Sequence, residues 1–130
     1  MSQIPQRVWE KIQEVKEKRL PKLDLSNDRN ADHKEKLAKI PAEIFDFDWL
    51  QVLNLSYNQI SILPDAIARL QNLKTLDLRE NQITRLPDAI ASLQKLTTLY
   101  LSGNQITTLP DAIASLQKLT TLYLSGNQIT

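Results

Sequence analysis

The sequence predicts an α/β solenoid, a right-handed superhelix whose parallel sheet lines the concave face and whose N-terminal end is closed by a helical cap. Three observations lead there. The apolar–proline pairs Ile40-Pro41, Leu63-Pro64, Leu86-Pro87 and Leu109-Pro110 each lie 23 residues from the next. Within that period, Leu53 to Ile60, Leu76 to Ile83, Leu99 to Ile106 and Leu122 to Ile129 all read LxLxxNxI. Ahead of the repeats, residues 2 to 19 carry apolar side chains at helical spacing.

The cap, residues 1–19, comes first because a solenoid end exposes its core and needs a cover with one apolar and one polar face. Ile4, Val8, Ile12 and Val15, joined by Trp9, fall on one stripe; Arg7, Glu10, Lys11, Glu14, Lys16, Glu17 and Lys18 fall elsewhere. Ser2 or Gln3 ahead of Pro5 suits a helix start, so the helix is expected over 4–19. A membrane-surface or partner-binding helix is the alternative, and a cap is preferred because the repeat that begins at Leu20 requires one.

Residues 20–130 then give about five repeats. The first, Leu20 to Asp28, is degenerate and puts Asp28 where later repeats have asparagine. From Asp28 to Pro41 is 13 residues, against 6 from Asn58 to Pro64, a seven-residue insertion within the charged stretch 29–39. Insertions in solenoids map to surface loops, sometimes on the binding side. In the regular repeats, Leu53 and Leu55 alternate with Asn54 and Ser56, the period of a half-buried strand. After the turn, Leu63, Ile67 and Leu70 are spaced by four and three, with Pro64 early where a missing N–H matters least, which predicts a short helix or 3₁₀ stretch. Asn58, Asn81, Asn104 and Asn127 recur where the chain leaves the strand, and a buried amide there satisfies backbone groups that the turn leaves unpaired. Residues Leu86 to Ile106 and Leu109 to Ile129 are identical, and the last repeat is incomplete.

This pattern resembles the leucine-rich-repeat family, in the 23-residue LxxLxxLxLxxNxIxxLPxxIxxL form of Ras-suppressor-like proteins and of the repeat domains of bacterial Roco proteins. The match runs over roughly residues 20 to 130. The resemblance implies a protein-binding module that is the recognition part of a larger signalling protein.

Composition narrows the function. Sixteen basic and fifteen acidic side chains nearly cancel, so no global field draws the chain to nucleic acid or an anionic membrane. Residues 1–39 hold ten Lys or Arg against seven Asp or Glu, and residues 40–130 hold six against eight. Without cysteine, disulfide caps and thiol chemistry are excluded, which points to a cytoplasmic setting. Two glycines cannot build a phosphate loop, and the lone His33 has no second histidine or cysteine with which to hold a metal. Asp46 and Asp48 flank Phe47 and are read as a solvated convex edge around a core phenylalanine. No catalytic residue, cofactor or metal site is expected, and the chain reads as a non-enzyme.

A partner site follows from register, because strands lining the inner curve present every residue between the buried leucines. One row reads Asp24, Asn54, Asp77, Tyr100, Tyr123. Its neighbours read Lys22, Val52, Thr75, Thr98, Thr121 and Ser26, Ser56, Arg79, Ser102, Ser125. Asn54, Asp77, Arg79, Tyr100 and Tyr123 are the candidate binding residues, since tyrosine and arginine are enriched at binding hot spots; tyrosine and threonine are also simply good strand-surface residues. At the far end, Leu119, Leu122, Leu124 and Ile129 are expected to be uncovered and the edge of the last strand unpaired. A twofold homodimer through that end, or a consensus-type scaffold without a ligand, is the competing reading.

Overall fold

The computed structural model describes residues 4–129. The residues at the expected helix start, Ser2 and Gln3, lie outside it, as does Thr130.

Helix α1 spans Gln6–Lys18, two residues later at its start than the apolar stripe alone suggests. Pro5 stands at the N-cap in an extended conformation (φ −54°, ψ 144°), and a proline there needs no donor of its own. Arg19 ends the helix in the left-handed region at φ 50°, and the next amide, Leu20 N–H, returns to the Val15 carbonyl (3.2 Å). Val8, Ile12 and Val15 are buried against the first repeat. Trp9 is not part of that face: one residue beyond Val8 it is turned about 100° around the helix, and it stays 36% exposed. The polar face is also tethered. Arg7 bridges to Glu35 (3.2 Å) and to the Asn27 side chain, and Lys11 donates to the Asp24 carbonyl (3.2 Å).

Five strands follow: β1 Lys22–Asp24, β2 Val52–Asn54, β3 Thr75–Asp77, β4 Thr98–Tyr100 and β5 Thr121–Tyr123. They form one parallel sheet in chain order, with Leu23, Leu53, Leu76, Leu99 and Leu122 in register. On the convex side the short helices are 3₁₀, at Ala42–Asp46, Asp65–Arg69, Asp88–Ser92 and Asp111–Ser115. Each follows its proline directly and buries its central isoleucine, the last only partly. Between sheet and 3₁₀ helices runs one continuous leucine and isoleucine core.

Asparagines stitch the repeats. The Asn81 Oδ1 accepts from Ile60 N (3.0 Å), while its Nδ2 donates to the carbonyls of Leu55 (3.0 Å) and Leu78 (3.1 Å). Asn58 and Asn104 repeat the pattern from buried positions, Asn127 from a half-buried one. Each side chain thus replaces turn hydrogen bonds within its own repeat and with the one before.

The insertion is shorter than the charged stretch 29–39. Leu37 is buried and donates its N–H to Asn58 Oδ1 (2.8 Å), the role Ile60 plays toward Asn81, so the repeat template resumes at Leu37. Asp28, in the asparagine position by count, is exposed; its neighbour Asn27 makes the amide contact, to Asn58 Oδ1 (2.8 Å). The looped-out residues carry a 3₁₀ turn, His33–Glu35, held by Arg7 to Glu35 and by Gln59 to His33.

Candidate protein-binding face

The sheet sets the geometry of the concave face. Register places Asp24, Asn54, Asp77, Tyr100 and Tyr123 in one row across the five strands. The row divides chemically into two halves.

In the first half the side chains are occupied locally. Asp24 Oδ1 accepts from both the amide (3.0 Å) and the hydroxyl (2.6 Å) of Ser26. Asn54 does the same with Ser56 at 3.0 and 2.8 Å. These turns, in which a side-chain oxygen takes the amide two residues on, close the strand and bend the chain toward the ascending loop. Burial opposes the charge on Asp24, but the two bonds from Ser26 and the cations of Lys11 and Lys22 prevail and hold its pKa below the ordinary carboxylate value.

In the second half the side chains form an array. Asp77 accepts the amide of Arg79 (3.1 Å) and grips its guanidinium through both carboxylate oxygens, at 2.9 Å and 3.1 Å from Nε and 2.7 Å from Nη2. Asp77 itself is buried, with its side chain 7% exposed beside the 44% of Arg79. It therefore supports the surface and Arg79 presents it. The guanidinium lies over the Tyr100 ring, 5.1 Å from its centroid, and Tyr100 stacks on Tyr123 at 5.1 Å with the planes 2° apart. That separation is close to the spacing of neighbouring strands, so the sheet itself imposes the stack. Hydrogen bonding to Asp77 outweighs burial and holds the Arg79 pKa above its ordinary value. Tyr100 is covered by Arg79 and by Tyr123, whereas Tyr123 has Tyr100 on one face alone. Tyr123 is half exposed.

Leu119, Leu122 and Leu124 are half-buried, packed on the core from one side, and Ile129 is 40% exposed. Phe47 is in the core, stacked on Trp49 at 5.1 Å, and the flanking Asp46 is exposed and paired with Arg69. Among the described residues, no group of three or more His, Cys, Asp and Glu is arranged to hold a metal ion, and no helix is long and apolar enough to cross a membrane. Sequence reading passed over Ile62, which is 69% exposed on the ascending side. The signal was available: it stands where the next repeats have Arg85 and Thr108.

Comparison with known proteins gives the fold its relatives. The family model described as leucine rich repeat matches residues 32–83 and again 71–129. No curated protein matches the chain. Among solved structures, a leucine-rich-repeat protein of Leptospira interrogans superposes with a TM-score of 0.78 at 33% identity, over 98% of this chain and 29% of that one. An internalin, inlF, from Listeria monocytogenes gives 0.71 at 31% identity, over 89% and 32%; internalin C2 from the same organism gives 0.66 at 34%, over 75% and 41%. The chain thus spans less than half the length of each of these structures. Its 23-residue template, its asparagine-stitched parallel sheet and the match of the repeat model over most of its length make it a member of the leucine-rich-repeat family.

Proposed function

We propose that the chain is a non-catalytic recognition module of a larger cytoplasmic signalling protein, binding a protein partner through its concave face at Asn54, Asp77, Arg79, Tyr100 and Tyr123. The observation that carries this is the Asp77–Arg79–Tyr100–Tyr123 array. Its side chains are fixed before any partner arrives, so little side-chain entropy is left to lose on binding. It joins amphipathic rings to a half-exposed cation, the composition that dominates binding energy at protein interfaces. The near balance of charge argues for a protein rather than a polyanion, and the lack of cysteine supports the cytoplasmic setting.

The test is affinity capture from cell extract, followed by measurement of affinity for the captured protein, with a variant designed to keep the fold. Asp77→Asn with Arg79→Ser reproduces the Asn54–Ser56 pair of the preceding repeat, and Tyr100→Thr with Tyr123→Thr keeps good strand formers. At least a hundredfold loss in this quadruple variant is expected. Equal affinity in a folded variant would move the site elsewhere.

The half-exposed Leu119, Leu122 and Leu124 with Ile129 favour a second reading, a scaffold without ligand whose copies meet through that surface. Light scattering separates the two. A concentration-dependent dimer abolished by Leu122→Lys supports the second, and a monomer at all concentrations removes it.

A further inference from the structure

In a repeat protein the template states what the fold needs at each position, so a residue that departs from it toward greater exposure of apolar surface is not explained by folding. Three such departures, Ala38, Ala42 and Ile62, converge on one spot, beside a fourth, Phe45, which is itself only 4% exposed. On the ascending side, between the degenerate first repeat and the first regular one, lies an open groove of about 620 Å³. It is lined by Ala38, Ile40, Ala42, Phe45, Ile62 and Pro64, among others. Ala38 stands where the following repeats have Ser61, Thr84 and Thr107; Ala42 where they have Asp65, Asp88 and Asp111; Phe45 where they have Ala68, Ala91 and Ala114. Ile62 stands where the neighbours have Lys39, Arg85 and Thr108, and it is 69% exposed. At Ala38 and Ala42 a polar group is lost, at Ile62 apolar surface is gained, and Phe45, rooted in the core, lines the same groove with them.

Ile62, Ser61 and Pro64 also wall a second groove of about 730 Å³ on the other side, lined by Asp65, Asp88 and Arg85. Neither carboxylate takes part in an ion pair among the described residues, and with Arg85 between them the groove carries one net negative charge. Lys39 sits at the far rim of the apolar groove. A cation is therefore favoured on the Asp65 side of Ile62 and disfavoured on the Lys39 side. Both volumes fall in the range of ligand-binding clefts.

We propose that this lateral surface is a second docking site, taking a linear peptide segment of a partner protein that seats an apolar side chain against Ile62, Ala42 and Phe45 and places a basic residue beside Asp65 and Asp88. The site is independent of the concave face, from which it differs in side and in charge.

The test uses a library of random linear ten-residue peptides displayed on phage and selected on the whole chain. The strongest peptides are then made synthetically for binding measurements. Expected are peptides with an apolar residue followed within a few positions by Lys or Arg. Their affinity should fall at least tenfold on Ile62→Arg or Ala42→Asp, each of which restores a residue the template already accommodates, and should be unchanged by Tyr100→Thr with Tyr123→Thr. Circular dichroism of each variant confirms the fold. Peptides lost with the tyrosines but indifferent to Ile62, acidic peptides, no enrichment at all, or a dimer of the chain that Ile62→Arg dissolves would each overturn the proposal. Failure of the concave-face reading shows separately, as a quadruple variant that still binds its captured partner.

Discussion

Replacing Asn81 by alanine tests the claim that side-chain amides, as much as leucines, join the repeats. Asn81 is 6% exposed, and its carboxamide serves three buried backbone groups at 3.0–3.1 Å, the Ile60 N–H and the Leu55 and Leu78 carbonyls, with the part-buried Arg79 carbonyl a fourth at 3.2 Å. Leaving one buried backbone group unpaired costs about 1–3 kcal/mol. Three such groups, relieved in part by a water in the vacated space, bring the expected loss to about 3–5 kcal/mol. Asn127 makes the corresponding bonds to Ile106 N, Leu101 O and Leu124 O, yet it is half-buried, so water can enter the place its side chain vacates and its alanine variant should lose only about 1 kcal/mol. Asn81→Asp separates the two functions of the amide, since it keeps the acceptor for Ile60 and turns a carboxylate toward two carbonyls. It should be at least as damaging as alanine. Urea unfolding followed by far-ultraviolet circular dichroism gives each value, with the slope checked for loss of cooperativity between repeats. Equal losses at Asn81 and Asn127, or a loss below about 1 kcal/mol at Asn81, would refute the assignment of inter-repeat stability to these amides.

Three further outcomes follow from the same coordinates. Leu76→Ala and Leu99→Ala remove fully buried side chains between stacked strands and should each lose about 2–5 kcal/mol in urea melts. Gly103→Ala should destabilise by about 1–2 kcal/mol through its φ of +74°, and Glu80→Gly, at φ 56° one repeat earlier, should stabilise by a similar amount. The added methyl at 103 also meets the Glu80 carboxylate at 2.6 Å, so the two changes together should depart from additivity. Asp24 has its pKa held down in the folded state, so its contribution is present above the ordinary carboxylate value and is lost as pH falls through its own lower value. The stability advantage of wild type over Asp24→Ala should therefore shrink as pH falls below the ordinary carboxylate value of about 4, whereas an advantage that stays constant in acid would contradict the shift.

The architecture was readable because its determinants are periodic. Strand centres at Leu23, Leu53, Leu76, Leu99 and Leu122 were fixed by the LxL pattern, and the sheet pairs those residues. Readability declined where the period did. Counting forward from β1 puts Asp28 in the asparagine position, yet Asn27, one residue earlier, makes the amide contact to Asn58 Oδ1, and only the bond from Leu37 N to that oxygen shows where the template resumes after the insertion. An aromatic beside Val8 reads as core from sequence, yet helix geometry turns Trp9 away from the apolar stripe. On the concave face, alternation alone gave the row, but it could not tell occupied side chains from available ones. Asp24 and Asn54 close turns with Ser26 and Ser56, and Asp77 is buried under Arg79. The Asp-x-Ser and Asn-x-Ser spacings carry that signal in the sequence, as residues that bond the amide two positions on.

The identical last repeats isolate what sequence leaves to context. Residues 86–106 and 109–129 have the same side chains in the same order, yet Ile90 and Leu96 are fully buried whereas Ile113 and Leu119 are only partly so. Leu99 and Leu101 are fully buried, and Leu122 and Leu124 are half-buried. Local propensity cannot account for the difference, since it is the same in both; what differs is packing on the far side. The tyrosines follow the same rule. Tyr100 lies between the Arg79 guanidinium and Tyr123 and is half-buried, while Tyr123 has Tyr100 on one face and is half exposed. Binding chemistry in this chain is therefore set less by which residue the template supplies than by what the neighbouring repeat places beside it. The one cation on the array comes from Arg79, where the template otherwise has serine, and the one apolar ridge comes from Ile62, where it otherwise has a polar residue. Each of the two proposed sites is thus built on a departure from its repeat, held in place by the repeats that do not depart.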